Sequence, residues 1–309
     1  MNCTDRDFAK LVDDIKSVSE EDLFGRMAAG FDSLPLDIRR GLQIYFDKFG
    51  FWGRLDPEHG IYDEIKAKAR ELSEHIDDFA RVYDLLADYR SKKTLFAVLN
   101  NWYAYDFKTV ARVKEQLFDE YFDHDLLHCG ENEVFVDLGA YYGETTLSFI
   151  YNYGNCHKKI YCYEITPDVF AQLQKNLSAV RRADLRLKGV GASAGRMIVS
   201  RNMFSSSANT LTESGEGTDV EVVTLDEDIQ EPVTIIKADI EGSEQDALAG
   251  AVNHIVNERP RLLISVYHCN EDMWKIPEII RGMRDDYKFY LRFKGSSFLY
   301  PTELTLFAL

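Results

Sequence analysis

Asp137, two glycines and two threonines stand close together in the run Glu133-Val134-Phe135-Val136-Asp137-Leu138-Gly139-Ala140-Tyr141-Tyr142-Gly143-Glu144-Thr145-Thr146. Their order is that of a strand, a turn and a helix start. The apolar residues Val134 to Val136 suit a strand covered on both faces. Gly139 can take backbone angles closed to other residues, and Gly143 would let a ligand approach the main chain. Thr145 and Thr146 can cap a new helix whose N–H groups point back at the turn. In an open α/β sheet, ligands bind here, beyond the carboxyl end of the first strand.

The charge at this turn discriminates between ligands. A pyrophosphate would call for G-x-G-x-x-G facing the helix N–H groups, but position 141 is tyrosine. The Asp137 carboxylate would repel an anion and attract a cation. S-adenosylmethionine (SAM), which carries a sulfonium and an ammonium, is therefore favoured over NAD. Further on, Ile160-Tyr161-Cys162-Tyr163-Glu164 reads as a second strand ending in an acid. Glu164 follows Gly139 by about the interval expected of a carboxylate that accepts from ribose hydroxyls.

Two more strand ends carry reactive groups. Ile235-Ile236-Lys237-Ala238-Asp239-Ile240-Glu241-Gly242-Ser243-Glu244 places three acids around a glycine turn. Asp239 can hold a substrate hydroxyl or a cation. Glu241 can do the same or cap the next helix, and Ser243 with Asp246 resembles a capping box. The strand Leu262 to Tyr267 ends in His268, which titrates near neutral pH and can take a proton from an alcohol. Asp239, Glu241 and His268 are the candidate catalytic residues. No resident metal is expected, although imidazole with two carboxylates suits several divalent ions and keeps these three open as ligands. His124 and His128 have the i, i+4 spacing of a zinc pair, but no Glu sits beside either as in metalloproteases, and Gly130 follows at once. The aromatic group Trp102, Tyr103, Tyr105 and Phe107 reads as packing more readily than as a sugar contact.

These residues need an α/β sheet to bring them together, and the second half of the chain reads as one. From Cys129 onward β-rich runs alternate with helical ones, the sign of a parallel sheet with crossover helices. Strands are expected at 133–137, 159–164, 184–188, 234–239 and 261–267. Helices are expected at Glu144 to Tyr153, Pro167 to Val180, Ser243 to Asn257 and Trp274 to Asp285. Two closing strands, Lys288 to Phe293 and Glu303 to Ala308, suit an antiparallel edge. Ser205 to Asp219 reads as a mobile surface loop. Residues 1–128 look helical throughout, with Tyr62 to Ala87 and Lys108 to Tyr121 among the helices and Gly50 to Gly60 a break. The expected domains are 1–128, a helical place for substrate or homodimer contacts, and 129–309, the ligand-binding α/β domain.

The chain has 309 residues and a formal charge of −16, from 36 basic and 52 acidic side chains. That balance argues against a nucleic-acid substrate and against adhesion to anionic membranes. No apolar run approaches a membrane span, the N-terminus lacks a signal-peptide core, and five scattered cysteines form no C-x-x-C pair. A reduced, cytoplasmic protein is the expectation.

With these motifs assembled, the chain resembles the FkbM family of SAM-dependent methyltransferases over about residues 85–309. The resemblance rests on Val136 to Thr145, on Tyr163-Glu164-Ile165-Thr166-Pro167-Asp168 and, most specifically, on Lys237 to Glu244. It implies a Rossmann-like class I fold with an all-α N-terminal domain, a SAM cofactor and enzyme class EC 2.1.1.-. The acceptor it implies is a hydroxyl of a small molecule or saccharide, or a carboxylate. Asp137, Gly139, Ala140, Tyr142, Gly143 and Thr145 would then surround the methionine end. Glu164 and Ile165 would hold the ribose, Gly191 and Ala192 would border the adenine, and Asp239 would close the site. The chain departs from the family's frequent Glu-Pro after strand two, where it has Glu164-Ile165-Thr166-Pro167. It departs again in strand five, where Ser265 and Tyr267 stand in place of an acid. An NAD-linked oxidoreductase and a non-catalytic SAM-binding module are the alternatives.

Overall fold

In a computed structural model, residues 2–154, 157–202, 208–214 and 217–309 are described. The chain divides into two compact units. One comprises Met1–Gln116, Val266–Glu278 and Lys288–Leu306; the other comprises Leu117–Ser265, Ile279–Tyr287 and Phe307–Leu309.

The first unit opens with helices α1 (Cys3–Lys16), α2 (Glu20–Asp32) and α3 (Leu36–Phe49). A short antiparallel pair, β1 (Leu55–Asp56) and β2 (Ile61–Tyr62), fills the break after Gly50. Helix α4 (Asp63–Leu85) buries a stripe of Ile65, Ala69, Leu72, Ile76, Phe79 and Val82, the spacing of a half-buried helix. Helices α5 (Tyr89–Ala104) and α6 (Phe107–Val113) follow. The helix expected to run to Tyr121 stops at Val113. From Lys114 the backbone is extended and pairs with Phe293, whose carbonyl accepts from Glu115 N–H at 2.7 Å. Residues 114–132 are therefore turns and bridges, and the uniformly helical reading of 1–128 fails there. The aromatic group is packing: Trp102 lies edge-on to Phe79 at 6.3 Å, and Tyr105 is 6.0 Å from Phe31.

The second unit is built on strands β3 (Glu133–Leu138), β4 (His157–Glu164) and β5 (Ala183–Leu187), with helices α7 (Glu144–Tyr153) and α8 (Pro167–Asn176) between them. Next come four short strands, β6 (Gly189–Val190), β7 (Gly195–Ser200), β8 (Thr210–Thr212) and β9 (Thr218–Val223). After helix α9 (Leu225–Asp228) come β10 (Ile235–Ala238), α10 (Glu244–Ala249), α11 (Val252–Glu258) and β11 (Arg261–Ser265). Helix α12 (Asp272–Met283) and strands β12 (Phe289–Phe293) and β13 (Leu304–Ala308) complete the chain.

Within this unit β11, β10, β3, β4 and β5 lie side by side, all parallel. All six residues of β3 and all four of β10 are buried, as covered central strands require. The helix expected over Ser243 to Asn257 is two helices broken at Gly250, where a side-chain carbon would come within 2.1 Å of the Gly191 carbonyl oxygen. The expected loop from Ser205 to Asp219 is partly strand: β8 and β9 pair antiparallel with β7, and β6 joins β9 to make a second, four-stranded sheet. Residues 205–207 and 215–216 of that expectation, like Cys156, lie outside the described residues. Among the described residues no helix is long and apolar enough to cross a membrane.

Candidate functional site

The carboxyl ends of β3, β4 and β10 open onto a cavity of about 200 Å³. This is where an open parallel sheet places its ligand, and three turns form much of the cavity wall.

The first turn follows β3. Gly139 has φ +73°, and both Gly139 N–H and Ala140 N–H donate to the Tyr163 carbonyl, at 3.1 and 2.9 Å. Gly139, Ala140 and Thr145 line the cavity, whereas Tyr142 and Gly143 do not. The Tyr142 carbonyl instead accepts from Asn176 Nδ2 at 2.8 Å. Gly143 begins α7 at φ +94°, and a side-chain carbon there would meet Leu177 at 2.9 Å. The positive φ and these leucine contacts both favour glycine there. No side chain caps α7. The Thr146 hydroxyl donates to Asp137 Oδ2 at 2.8 Å.

Asp137 does not face the cavity. It is wholly buried and ion-paired at 3.1 Å with Lys237, which is equally buried. The parallel register sets Lys237 directly opposite Asp137 on adjacent strands. The ammonium also donates to the carbonyls of Leu138 (3.1 Å) and Gly139 (2.9 Å). Burial alone would lower its pKa, but Asp137 and then Asp239 raise it above the ordinary lysine value, so it stays charged. The charge assigned from sequence to a cationic ligand is thus balanced inside the protein. Lys237, quoted in the motif but given no role, fastens the turn.

The second turn follows β4. Glu164 lines the cavity, as does Ile165. One Glu164 carboxylate oxygen accepts from Tyr141 N–H at 3.1 Å and the other from Thr166 N–H at 2.8 Å. Burial raises its pKa above the ordinary glutamate value, with the backbone donors opposing.

The third turn follows β10. Asp239 and Glu241 line the cavity. Glu241 has φ +57° and Gly242 φ +98°, and buried Glu244 shapes the turn by accepting from Ile240 N–H (2.8 Å) and Gly242 N–H (3.0 Å). The expected Ser243–Asp246 capping box is absent, since Ser243 makes no side-chain cap. Of the residues expected to border an adenine, Gly191 packs against Gly250 and Ala192 is exposed, and neither lines the cavity, which Lys188, Gly189 and Val190 do line.

The sequence reading missed Tyr121, which reaches the cavity from the irregular stretch before β3. Its position could not be read without the fold. His268 belongs to the first unit, where its ring lies 4.1 Å from that of Tyr267 and 6.0 Å from that of Phe51. His124 and His128 are not on a helix, and the His124 ring nitrogen Nε2 pairs with Asn152 Oδ1 at 2.9 Å.

A parallel sheet with a glycine turn after its first strand and a carboxylate ending the next is the Rossmann-like fold of class I methyltransferases. The chain belongs to the FkbM methyltransferase family: residues 137–292 match the methyltransferase FkbM domain. It is similar to the solved methyltransferase FkbM from Methylobacillus flagellatus KT, at 25% identity and a TM-score of 0.67, over 79% of this chain and 62% of that one. It thus spans less than two thirds of that protein's length. Weaker likenesses include an rRNA methylase from Streptococcus thermophilus (15% identity, TM-score 0.38, covering 58% of this chain and 87% of that one). Another is a putative methyltransferase from Streptococcus mutans in complex with SAH (12% identity, TM-score 0.37, covering 58% and 89%). No curated protein matches the chain.

Proposed function

We propose that the chain is a SAM-dependent methyltransferase that methylates a hydroxyl of a small molecule or saccharide. The carrying observation is the charge of the cavity. Five carboxylates, Glu120, Glu144, Glu164, Asp239 and Glu241, line it against two lysines. Lys188 is committed to Glu221 and Asp228 at 3.1 Å each, and Lys237 pairs with Asp137 at 3.1 Å while its charge also bears on Asp239, so the carboxylates outnumber the positive charge left to them. Such a wall favours a cationic ligand and disfavours a pyrophosphate. It also disfavours an anionic acceptor, which supports a neutral hydroxyl over a carboxylate.

Bound SAM would supply an electrophilic methyl group. Glu164 would accept from the ribose hydroxyls, and the Gly139 turn would border the methionine portion. Asp239 would orient the acceptor hydroxyl and take its proton, with Glu241 on the same cavity wall. The protein's main contribution would be to orient the acceptor and exclude water. The net charge of −16 supports a partner other than nucleic acid.

Calorimetric titration of the full chain tests the reading. SAM and S-adenosylhomocysteine should bind one to one and NADH should not; the reverse preference would overturn the proposal. Glu164→Gln should weaken SAM binding roughly 10- to 100-fold, the scale of a lost charge-assisted hydrogen bond. The pH dependence has a fixed sign. Ribose hydroxyls need the charged carboxylate, so wild-type affinity should fall as pH drops through the raised pKa of Glu164. Glu164→Gln should remove that limb, and an unchanged profile would take Glu164 out of the site.

A further inference from the structure

We propose that Tyr121 is a positioning residue for Asp239, fixing and polarising its carboxylate through a hydroxyl relay that begins at Ser265. This rests on the reading of Asp239 as the group that meets the acceptor. The Tyr121 hydroxyl donates to Asp239 Oδ2 at 3.0 Å and lies 3.1 Å from Ser265 Oγ. A phenol has one proton to give. With that proton on Asp239, Ser265 completes the second contact as donor, and the chain runs Ser265 to Tyr121 to Asp239. Hydrogen bonds aligned in this way strengthen one another in a buried setting. Ser265 is wholly buried and Tyr121 nearly so.

The backbone supports a purpose beyond packing. Tyr121 has φ +66°, a left-handed conformation that a bulky residue holds only when its surroundings impose it. Here they do. Phe122 N–H closes the turn on the Asp119 carbonyl at 3.2 Å. The Asp119 carboxylate accepts from Ser148 Oγ and Asn152 Nδ2 of α7, at 3.0 Å each. The Phe122 ring packs 6.0 Å from Phe149 and 5.9 Å from Tyr153, on the same helix. Helix α7 begins at the glycine turn, so one element holds both that turn and the tyrosine. The Tyr121 ring also lies 5.4 Å from the Lys237 ammonium, a cation–π distance. Within this unit Lys237 bears on Asp239, a Glu244 carboxylate oxygen lies within 4.8 Å of it, and Glu120 and Glu241 line the same cavity.

The test follows the Asp239 carboxyl by carbon-13 NMR in the full chain, assigned with Asp239→Asn, while thermal midpoint and S-adenosylhomocysteine affinity are recorded. A hydrogen bond to the charged form favours that form. Tyr121→Phe should therefore raise the titration midpoint of Asp239 by about one pH unit, while the thermal midpoint stays near wild type. Ser265→Ala, which keeps the tyrosine in place, should raise it by less. An unmoved midpoint in folded Tyr121→Phe overturns the proposal. Should that variant not fold, an unmoved midpoint in Ser265→Ala does the same. If wild-type protein fails to bind S-adenosylhomocysteine, the methyltransferase reading fails instead, and the carboxyl titration still reports on the relay.

Discussion

Gly139→Ala should abolish measurable SAM binding. At φ +73° an alanine is strained, and its Cβ would stand 1.9 Å from the Asp239 carbonyl oxygen and 3.2 Å from Ile240. The turn has no room to yield. Its two N–H groups are bound to the Tyr163 carbonyl, and its own carbonyl is bound to Lys237. The ends of β3 and β10 would have to separate, at a cost of about 1–3 kcal/mol for overpacking and about 1–2 kcal/mol for the backbone. The distortion falls on the cavity wall, so affinity should drop at least roughly 100-fold, the equivalent of about 2.7 kcal/mol. Calorimetry with SAM and a thermal melt measure both parts. Gly130→Ala, where a Cβ would meet nothing within 4 Å, should leave both at wild type. Retained SAM affinity in Gly139→Ala would remove this turn from the binding site.

Lys237→Met should be the most destabilising of the charge substitutions. It leaves the Asp137 carboxylate buried with Thr146 as its remaining hydrogen-bond donor among the described contacts, and it strips two carbonyls of their donor. Removing one partner of a buried pair costs about 3–5 kcal/mol, because the other charge stays buried. Combining it with Asp137→Asn removes that charge and should recover part of the loss, leaving the carbonyls unmet. Urea denaturation measures the difference. A single Lys237→Met variant as stable as wild type would show that the pair does not hold the turn.

The strands that frame the cavity were legible because each is a short apolar run ending in a chemically distinct residue: Asp137, Glu164 or Asp239. The glycine turn was legible for the same reason. Compensation of Asp137 was not, because it depends on the register that sets Lys237 opposite it, a pairing between strands about a hundred residues apart. Gly143 looked like a ligand-approach glycine, but its neighbours Leu173 and Leu177 come from a later helix. Strand β8 and the start of β9 fell inside the stretch read as loop because their residues are mostly polar and partly exposed and their partner β7 lies outside the main sheet, so no buried apolar run marks them. Tyr121 escaped notice because a helical pattern appeared to continue through it, whereas the chain leaves the helix at Lys114 to pair with Phe293.

A structure of the full chain crystallised with S-adenosylhomocysteine bears most directly on the assignment of this cavity to a methyl donor. The expected result is the nucleoside held with its ribose on Glu164 and its amino-acid portion against the turn at Gly139, between the carboxylates of the wall. A complex with that cavity empty and the ligand bound elsewhere would contradict it.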